Sequence, residues 1–257
     1  MARPVHLLLP GAGAAAVLLA VTVLVAARWS PLIRLDHRIA ADVQPWALRH
    51  RGYRIAMREL TDALAPWPWR GLALVVAAVL LVRRRLRPAA MVAGVAVIAG
   101  VGGVLAKWLV DRPRPRFAHP VAHVPGSSFP SGHAVNAAAI GGALLVLVLA
   151  TRWRALISGV LVAVMLVTGW TRIALGAHYL SDVVGGLLLG GLIAAAGYAA
   201  ATWGCRPVPQ PRRRTSASRP ATGETSCDVT RIDPLPCARS GRCRRRGKVR
   251  RQRRLAR

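Results

Sequence analysis

The chain has 257 residues, of which 54% are hydrophobic, and it carries a formal net charge of +28. An ordinary soluble domain is less apolar, and a disordered chain has far fewer hydrophobic residues, so the composition excludes both classes for the whole chain. Apolar membrane spans joined by basic connections fit these numbers.

Five stretches of the sequence lack any charged side chain and approach the roughly 20 residues that cross a bilayer core. They are residues 7–27, 89–106, 134–151, 155–171 and 183–204. A sixth, weaker stretch runs from Trp69 to Val82, or begins as early as Pro66, and its Arg70 can extend toward the membrane surface. The sequence therefore predicts an all-α fold, a polytopic membrane helical bundle of about six transmembrane helices.

The first stretch admits an alternative, a cleaved signal peptide, because Arg3 and His6 precede it and small residues end it. The apolar region of a signal peptide has only about 7–15 residues, which is shorter than this stretch. Its removal would also leave an odd number of spans. These two points favour a transmembrane helix at residues 7–27.

Arginines in the short loops predict the orientation. Residues 83–88, RRRLRP, contain four arginines, and Arg152 and Arg154 lie in the next loop on the same side. Cytoplasmic loops are enriched in Lys and Arg, so both termini are predicted to be cytoplasmic. Three loops then face the extracytoplasmic side, namely residues 28–68, 107–133 and 172–182.

The first of these outer loops is unusually basic for that side of a membrane. It carries seven arginines from Arg28 to Arg58, and its acidic residues are Asp36, Asp42, Glu59 and Asp62. Part of it, YRIAMRELTDALAPW, has the pattern of an amphipathic helix that lies in the interface with its arginines at the level of the phosphates.

Residues 205–257 differ in character from the rest of the chain. They contain 17 Lys and Arg against three acidic residues, which is half of the net charge, and they are rich in Pro and Ser. This composition predicts a disordered, Arg-rich cytoplasmic tail that follows a transmembrane domain at residues 1–204. The tail is either a solvated extension or a contact for anionic lipid headgroups, and no specific nucleic acid partner is expected. A spurious, frame-shifted end would have the same lack of hydrophobic pattern.

All four cysteines, Cys205, Cys227, Cys237 and Cys243, lie in this tail. Their spacing forms no CxxC pair, which disfavours a zinc site. In the cytoplasm they are expected to be reduced thiols.

Polar residues occur at the ends of the later spans, where a charge is expensive and therefore suggests function. The first cluster is KWLVDRPRP at residues 107–115. Lys107 is one of only two lysines in a chain with 35 arginines, so a compact ammonium is favoured at this position. On its own, Lys107 is equally consistent with a residue that reaches the membrane surface and pairs with Asp111.

The second cluster is PSGHAVNAAA at residues 130–139. Pro130 ends any preceding element, Ser131 is a good N-cap residue, and an apolar helix begins at Gly132 or His133. The first amides of a helix have no intrahelical partners and attract anions, so this stretch could bind phosphate. A simple capped helix start is the alternative.

The third cluster is TRIALGAHYLSDVVGG at residues 171–186. Arg172 ends the fifth span, and Gly176 permits a turn. His178 and Asp182 are four residues apart, so on a helix Asp182 could accept a hydrogen bond from Nδ1 of His178 and leave Nε2 as a nucleophile. Such a pair is as often structural as catalytic.

Considered together, the clusters are more specific than any one of them. Two histidines, three cations, a helix N-terminus and a carboxylate are predicted on one face of the membrane. In phosphoryl transfer, cations neutralise the phosphate oxygens, one imidazole attacks phosphorus and another protonates the leaving oxygen.

This set of residues resembles the type 2 phosphatidic acid phosphatase family, membrane relatives of the vanadium haloperoxidases. The family motifs K-x6-R-P, P-S-G-H and S-R-x5-H-x3-D are similar to Lys107 through Arg114-Pro115, to Pro130 through His133, and to Arg172 with His178 and Asp182. The resemblance covers about residues 71–204. Thr171 replaces the usual serine of the third motif, and Arg112-Pro113 is a second Arg-Pro pair without the six-residue spacing.

The resemblance implies a role for each matched residue. The substrate phosphate would be bound by Lys107, Arg114, Ser131, Gly132 and Arg172. His178 would attack phosphorus to form a phosphohistidine, Asp182 would orient it, and His133 would protonate the leaving group. Neither a metal nor another cofactor is implied.

The implied activity is hydrolysis of a lipid phosphate or diphosphate at the extracytoplasmic face of the cell membrane. An undecaprenyl diphosphate substrate is preferred over phosphatidic acid, phosphatidylglycerol phosphate or a decaprenyl-phosphoryl sugar phosphate, because three cations suit a diphosphate. The alternatives are a phosphotransferase that uses the same phosphohistidine and a non-catalytic membrane adaptor that acts through the basic tail. The five other histidines, His6, His37, His50, His119 and His123, are predicted to be surface or interfacial residues.

Overall fold

The computed structural model describes residues 5–117, 125–149 and 151–202, with side-chain surroundings from residue 11 onward. Within these ranges the chain is helical and contains no strand, which confirms the all-α prediction. The helices are α1 Val5–Ala26, α2 Ser30–Arg49, α3 Arg51–Ala63, α4 Pro66–Val82, α5 Leu86–Val110, α6 Gly132–Val148, α7 Arg154–Ala174 and α8 Leu180–Thr202. The predicted tail, with its four cysteines, lies outside the described residues.

Several helices have the length and composition of membrane spans. Four segments are both long enough and apolar enough to cross a membrane, namely Arg51–Val82, α5, α7 and α8. Residues Gly11–Ala26 and α2 form a pair bent by 87°, which is a fifth span if the pair is counted as one. α6 is apolar but has only 17 residues. The chain is thus a multi-pass membrane protein, and the count of six spans remains a prediction.

The central helix of the bundle is α6. Its side chains are buried almost continuously from Ala134 to Gly141, and it packs against α4, α5, α7 and α8. Its closest partner is α8, because a Cβ atom at Gly190 would lie 2.4 Å from the carbonyl oxygen of Val135. Small residues of this kind let helix backbones approach closely in a membrane. The helix ends three residues before the predicted limit of residue 151.

The periphery of the bundle is apolar. Leu74 on α4, Val97 on α5 and Leu109 at the end of α5 are 72%, 64% and 86% exposed. Large exposed aliphatic side chains on several helices fit contact with lipid better than contact with water. The uncharged stretches therefore supply both the buried interior and the outer surface.

The first outer loop is almost entirely helical. α3 overlaps the stretch predicted as an interfacial amphipathic helix but begins two residues before it, at Arg51, whereas α2 was not predicted. Both helices pack against α7, and α2 also contacts α8. Side chains at intervals of four, four and three residues are buried along α2, namely Asp36, Ala40, Gln44 and Ala47. This spacing places them on one helix face.

Candidate active site

The three predicted clusters meet at one end of the bundle. Nζ of Lys107, in the last turn of α5, donates a hydrogen bond of 2.7 Å to the carbonyl oxygen of Ser127. Arg114 donates to the same oxygen over 3.2 Å and to the carbonyl oxygens of Gly126 and Ala177 over 2.9 Å each. These bonds join the segment after α5, the segment before α6 and the turn between α7 and α8.

The turn before α8 depends on a glycine. Gly176 has φ +64°, and a Cβ atom there would lie 2.7 Å from the ring of Phe117. Both the backbone conformation and the lack of space exclude other residues at this position. The backbone N–H groups of Ala177 and His178 then donate to the carbonyl oxygen of Arg172 over 3.0 Å and 3.2 Å. This places His178 beside the end of α7.

His178 is almost fully buried, with 3% of its surface exposed. Its Nε2 lies 3.1 Å from Nη1 of Arg114. Because a guanidinium only donates hydrogen bonds, Nε2 is the acceptor and the ring proton of the neutral imidazole is on Nδ1. Burial, helped by the nearby guanidinium groups of Arg114 and Arg172, lowers the pKa of His178 to about 4. At neutral pH the ring is therefore uncharged, with a lone pair on Nε2.

Asp182 lies in the first turn of α8, fully buried, with its carboxylate facing several donors. Oδ2 accepts hydrogen bonds from the hydroxyl of Ser128 and, over 2.9 Å, from the backbone N–H of Tyr179. Oδ1 accepts a bond of 2.6 Å from Arg112. The carboxylate is thus held from three directions.

The predicted hydrogen bond between His178 and Asp182 is not formed. Nδ1 of His178 and Oδ2 of Asp182 are 3.6 Å apart, which is longer than a hydrogen bond. His178 does not share a helical face with Asp182, because α8 begins at Leu180, two residues after His178. The two side chains are neighbours because of the turn and not because of helical periodicity.

Ser128 was not identified from the sequence. Its hydroxyl donates to Oδ2 of Asp182 and lies 3.5 Å from Nδ1 of His178, so it stands between the two side chains. Its backbone N–H donates to the carbonyl oxygen of Arg112 over 2.7 Å, which fixes its position. The sequence contains only a weak signal, a hydroxyl residue three positions before Ser131.

Ser131 occupies the predicted N-cap position of α6, but its side chain does not cap the helix. Its backbone N–H donates to the carbonyl oxygen of Asp182 over 2.9 Å. Its hydroxyl oxygen is buried and has no hydrogen-bond partner among the described residues. A Cβ atom at Gly132 would meet no heavy atom within 4 Å. The start of α6 therefore has an unused hydroxyl and free space beside its first residue.

Arg172 lies in the last turn of α7, 5% exposed. Its Nη1 donates a bond of 2.9 Å to the hydroxyl of Thr61 on α3, and its Nε is buried without a hydrogen-bond partner among the described residues. The hydroxyl of Thr171, which replaces the usual serine, donates to the carbonyl oxygen of Thr168 over 2.8 Å and lies 3.1 Å from the hydroxyl of Thr61. Thr61 is a second residue that the sequence analysis missed.

His133 belongs to the same cluster. Its imidazole is half-buried in the first turn of α6, close to the backbone of Thr61, and it interacts electrostatically with Arg172, His178 and Arg114. The two predicted catalytic histidines therefore face one site. Lys107, Arg114 and Arg172 surround it with three cationic side chains, an arrangement that attracts an anion.

The second Arg-Pro pair differs from the first in its surroundings. Arg112 is 7% exposed and directs its guanidinium to Asp36, Ser181 and Asp182, away from His178. Arg114, by contrast, reaches Nε2 of His178. Of the two arginines, the one with the six-residue spacing is in contact with the predicted nucleophile.

The remaining histidines lie apart from this cluster where they can be described. His37 and His50 are exposed, as predicted. The ring of His37 makes an edge contact of 5.0 Å with Tyr179. The side chain of His6 and the positions of His119 and His123 lie outside the described residues.

Comparison with known proteins agrees with this architecture. Residues 87–204 match the family model described as the PAP2 superfamily. Phosphatidylglycerophosphatase B of Bacillus subtilis (strain 168) is 33% identical over 95 residues, which are 35% of this chain and 46% of the relative. The chain thus matches about half the length of that relative.

A solved structure has the same fold. It is the crystal structure described as the first transmembrane PAP2 type phosphatidylglycerolphosphate phosphatase from Bacillus subtilis. The TM-score is 0.60 at 24% identity, and the match covers 78% of this chain and 96% of the other. The resemblance predicted from the three motifs is confirmed by the match of residues 87–204 to the PAP2 superfamily model.

Proposed function

We propose that this protein is an integral-membrane phosphatase that removes phosphate from a lipid phosphate. The observation that carries the proposal is the position of neutral His178, whose Nε2 lies beside Arg114 in a site that also contains Lys107, Arg172 and His133. A ring nitrogen that carries no proton and lies among cations suits attack on a phosphate ester. The similarity to a phosphatidylglycerophosphatase supports the same class of reaction.

The reaction is a double displacement. Phosphate binding draws Arg114 from Nε2 of His178 to the phosphate oxygens, and Nε2 attacks phosphorus. An N–P bond forms, the bond from phosphorus to the leaving oxygen breaks, and His133, which becomes protonated when the phosphate anion is bound, donates its proton to that oxygen. Water, deprotonated by His133, then attacks phosphorus, the N–P bond breaks, and inorganic phosphate leaves. His178 is neutral again at the end of the cycle.

The binding groups for phosphate are Lys107, Arg114, Arg172, the hydroxyl of Ser131 and the amide of Gly132. The support is that the Ser131 hydroxyl and Nε of Arg172 are buried without partners among the described residues. Leaving such groups unpaired costs free energy, which a bound phosphate would recover. Asp182 stabilises the charge that develops on His178 when it attacks.

We place phosphatidylglycerol phosphate first among the substrates, ahead of the prenyl diphosphate preferred from charge alone. The reason is that the relative and the solved structure are both phosphatases of that lipid by name. A panel of lipid phosphates and diphosphates compared by kcat/KM distinguishes the two. The phosphotransferase alternative is tested in the same assay, because it predicts a phosphorylated acceptor in place of free phosphate.

The first expected result concerns metals. Detergent-purified protein is expected to release phosphate from a lipid phosphate in the presence of EDTA, because side chains supply the charge that a metal would otherwise provide. Vanadate, which adopts the geometry of the transition state, is expected to inhibit. Activity that disappears with EDTA and returns with a divalent cation would contradict this mechanism.

We also expect the site to lie on the extracytoplasmic side of the membrane. A reporter fused after Arg116 should be extracytoplasmic and one fused after Arg85 cytoplasmic, because the RRRLRP loop follows the positive-inside rule. Accessibility labelling of the two fusions measures this. The reverse result would place the reaction at the inner leaflet.

Replacing Ser128 is expected to lower the activity measurably, but by less than replacing either histidine. A Ser128→Ala variant removes the hydroxyl between Asp182 and His178, so the imidazole can change its orientation. A decrease in kcat of roughly 10- to 100-fold is expected, with KM nearly unchanged, since losing one hydrogen bond to a charged group costs about 1.5–3 kcal/mol. Thr151→Ala removes an exposed hydroxyl at the opposite end of α6 and is the control. Equal rates for both variants would show that Ser128 does not orient the pair.

A further inference from the structure

We propose that Asp36, acting through Arg112, is a positioning residue for Asp182, which makes the outer helix α2 part of the active site. This inference rests on the proposed phosphatase function. Neither Asp36 nor Arg112 belongs to the three motifs. Asp36 also precedes residues 87–204, the part of the chain that matches the family.

Arg112 connects the two carboxylates directly. Its Nη1 donates to Oδ1 of Asp182 over 2.6 Å and to the hydroxyl of Ser181 over 2.7 Å, and its Nη2 donates to Oδ2 of Asp36 over 2.7 Å. The guanidinium also lies 4.3 Å from the centre of the Tyr179 ring. Both terminal nitrogens of Arg112 are therefore engaged by the side chains of Asp36, Ser181 and Asp182.

Asp36 also contacts the start of α8 directly, without Arg112. Its Oδ1 accepts a hydrogen bond of 3.0 Å from the backbone N–H of Ser181, and its Oδ2 accepts one from the Ser181 hydroxyl. Ser181 directly precedes Asp182. One side chain of α2 therefore fixes both the backbone next to Asp182 and the cation bound to its carboxylate.

The charges in this cluster explain how Asp36 influences the position of Asp182. Asp36 and Asp182 are 1% and 0% exposed, and Arg112 lies between them. An unpaired buried charge is strongly destabilising, so each carboxylate depends on the shared guanidinium. If Asp36 lost its charge, Arg112 would pair with Asp182 alone and would compete with His178 for that carboxylate.

The test compares two substitutions on the same helix. Asp36→Asn removes the buried charge, and Asp42→Asn removes an exposed one as the control. Asp36→Asn is expected to lower kcat about 10- to 100-fold, the range that a small misplacement of catalytic groups produces. KM and the inhibition constant of inorganic phosphate are expected to stay within about twofold, because the phosphate-binding side chains are untouched.

A double variant tests the route through Arg112. Arg112→Gln is expected to lower kcat further than Asp36→Asn, and adding Asp36→Asn to it should cause a clearly smaller loss than Asp36→Asn causes in the wild type, because only the contacts of Asp36 with Ser181 then remain to be lost. Multiplicative losses, or Asp36→Asn behaving like Asp42→Asn, would overturn the proposal. If Asp36→Asn does not fold, Asp36→Glu is used instead, because it keeps the charge and moves the carboxylate by one methylene. A lower kcat with unchanged inhibition by phosphate would support the proposal. An unchanged kcat would overturn it. No phosphate release by the wild type and Asp42→Asn would instead refute the proposed function.

Discussion

A His178→Ala variant is expected to lose phosphate release almost completely, by a factor on the order of 10⁴ or more, as when the nucleophile of a covalent mechanism is removed. The physical reason is that no other neutral nitrogen of the described cluster is in contact with Arg114 as Nε2 of His178 is. The measurement is release of inorganic phosphate from phosphatidylglycerol phosphate in detergent micelles. His50→Ala, which removes an exposed imidazole on the linker between α2 and α3, is the control and should retain full activity.

The covalent intermediate gives the same prediction a second readout. Wild-type protein quenched with alkali during turnover of a phosphate-labelled lipid should retain label that acid then releases, because a phosphohistidine is stable in alkali and labile in acid. His178→Ala should retain none. Full activity of His178→Ala would falsify the mechanism, and label retained by that variant would assign the nucleophile to another residue.

An Asp182→Asn variant is expected to lose about 10³- to 10⁴-fold in kcat, the scale seen when the carboxylate partner of a catalytic histidine is replaced by an amide. Two effects combine. The amide no longer neutralises the charge that develops on His178, and its NH2 group meets donors wherever it points, because Arg112, Ser128 and the Tyr179 N–H all donate to this carboxylate.

This variant should also be less stable than the wild type. A lost buried ion pair with Arg112 typically costs about 3–5 kcal/mol, so a lower Tm in detergent is expected together with the lower kcat. Asp42→Asn, at an exposed position of α2, should change neither quantity. An Asp182→Asn protein with wild-type kcat would show that the carboxylate only supports the fold.

The apolar spans could be predicted because a long stretch without charge has few alternatives to a buried or membrane-facing helix. α4 illustrates this, since it begins at Pro66, the earlier of the two starts considered, and keeps Arg70 in its second turn. There Nε of Arg70 donates a 3.0 Å hydrogen bond to Asn136 on α6, a side-chain contact in place of the expected extension to the membrane surface. Only the neighbouring helix determines which of the two occurs.

α2 could not be predicted in the same way. It is mixed in charge, contains Pro45 in its interior, and buries Asp36 and Gln44 where a hydrophobic pattern would require apolar residues. These polar side chains are buried because the active-site end of the bundle is itself polar. A periodicity argument built on hydrophobic residues therefore misses the helix.

The linear sequence by itself determined which reactive side chains are available to the proposed site. It determined that Lys107, Arg114, His133, Arg172, His178 and Asp182 occur next to the ends of apolar helices, since spacing and charge are properties of the chain. Only the tertiary structure decided which partners these side chains have. Ser128 lies between His178 and Asp182, Thr61 holds Arg172, and Arg112 pairs with Asp36 because turns and helix packing join segments up to 111 residues apart. Contacts across such separations depend on the fold, and no local pattern encodes them.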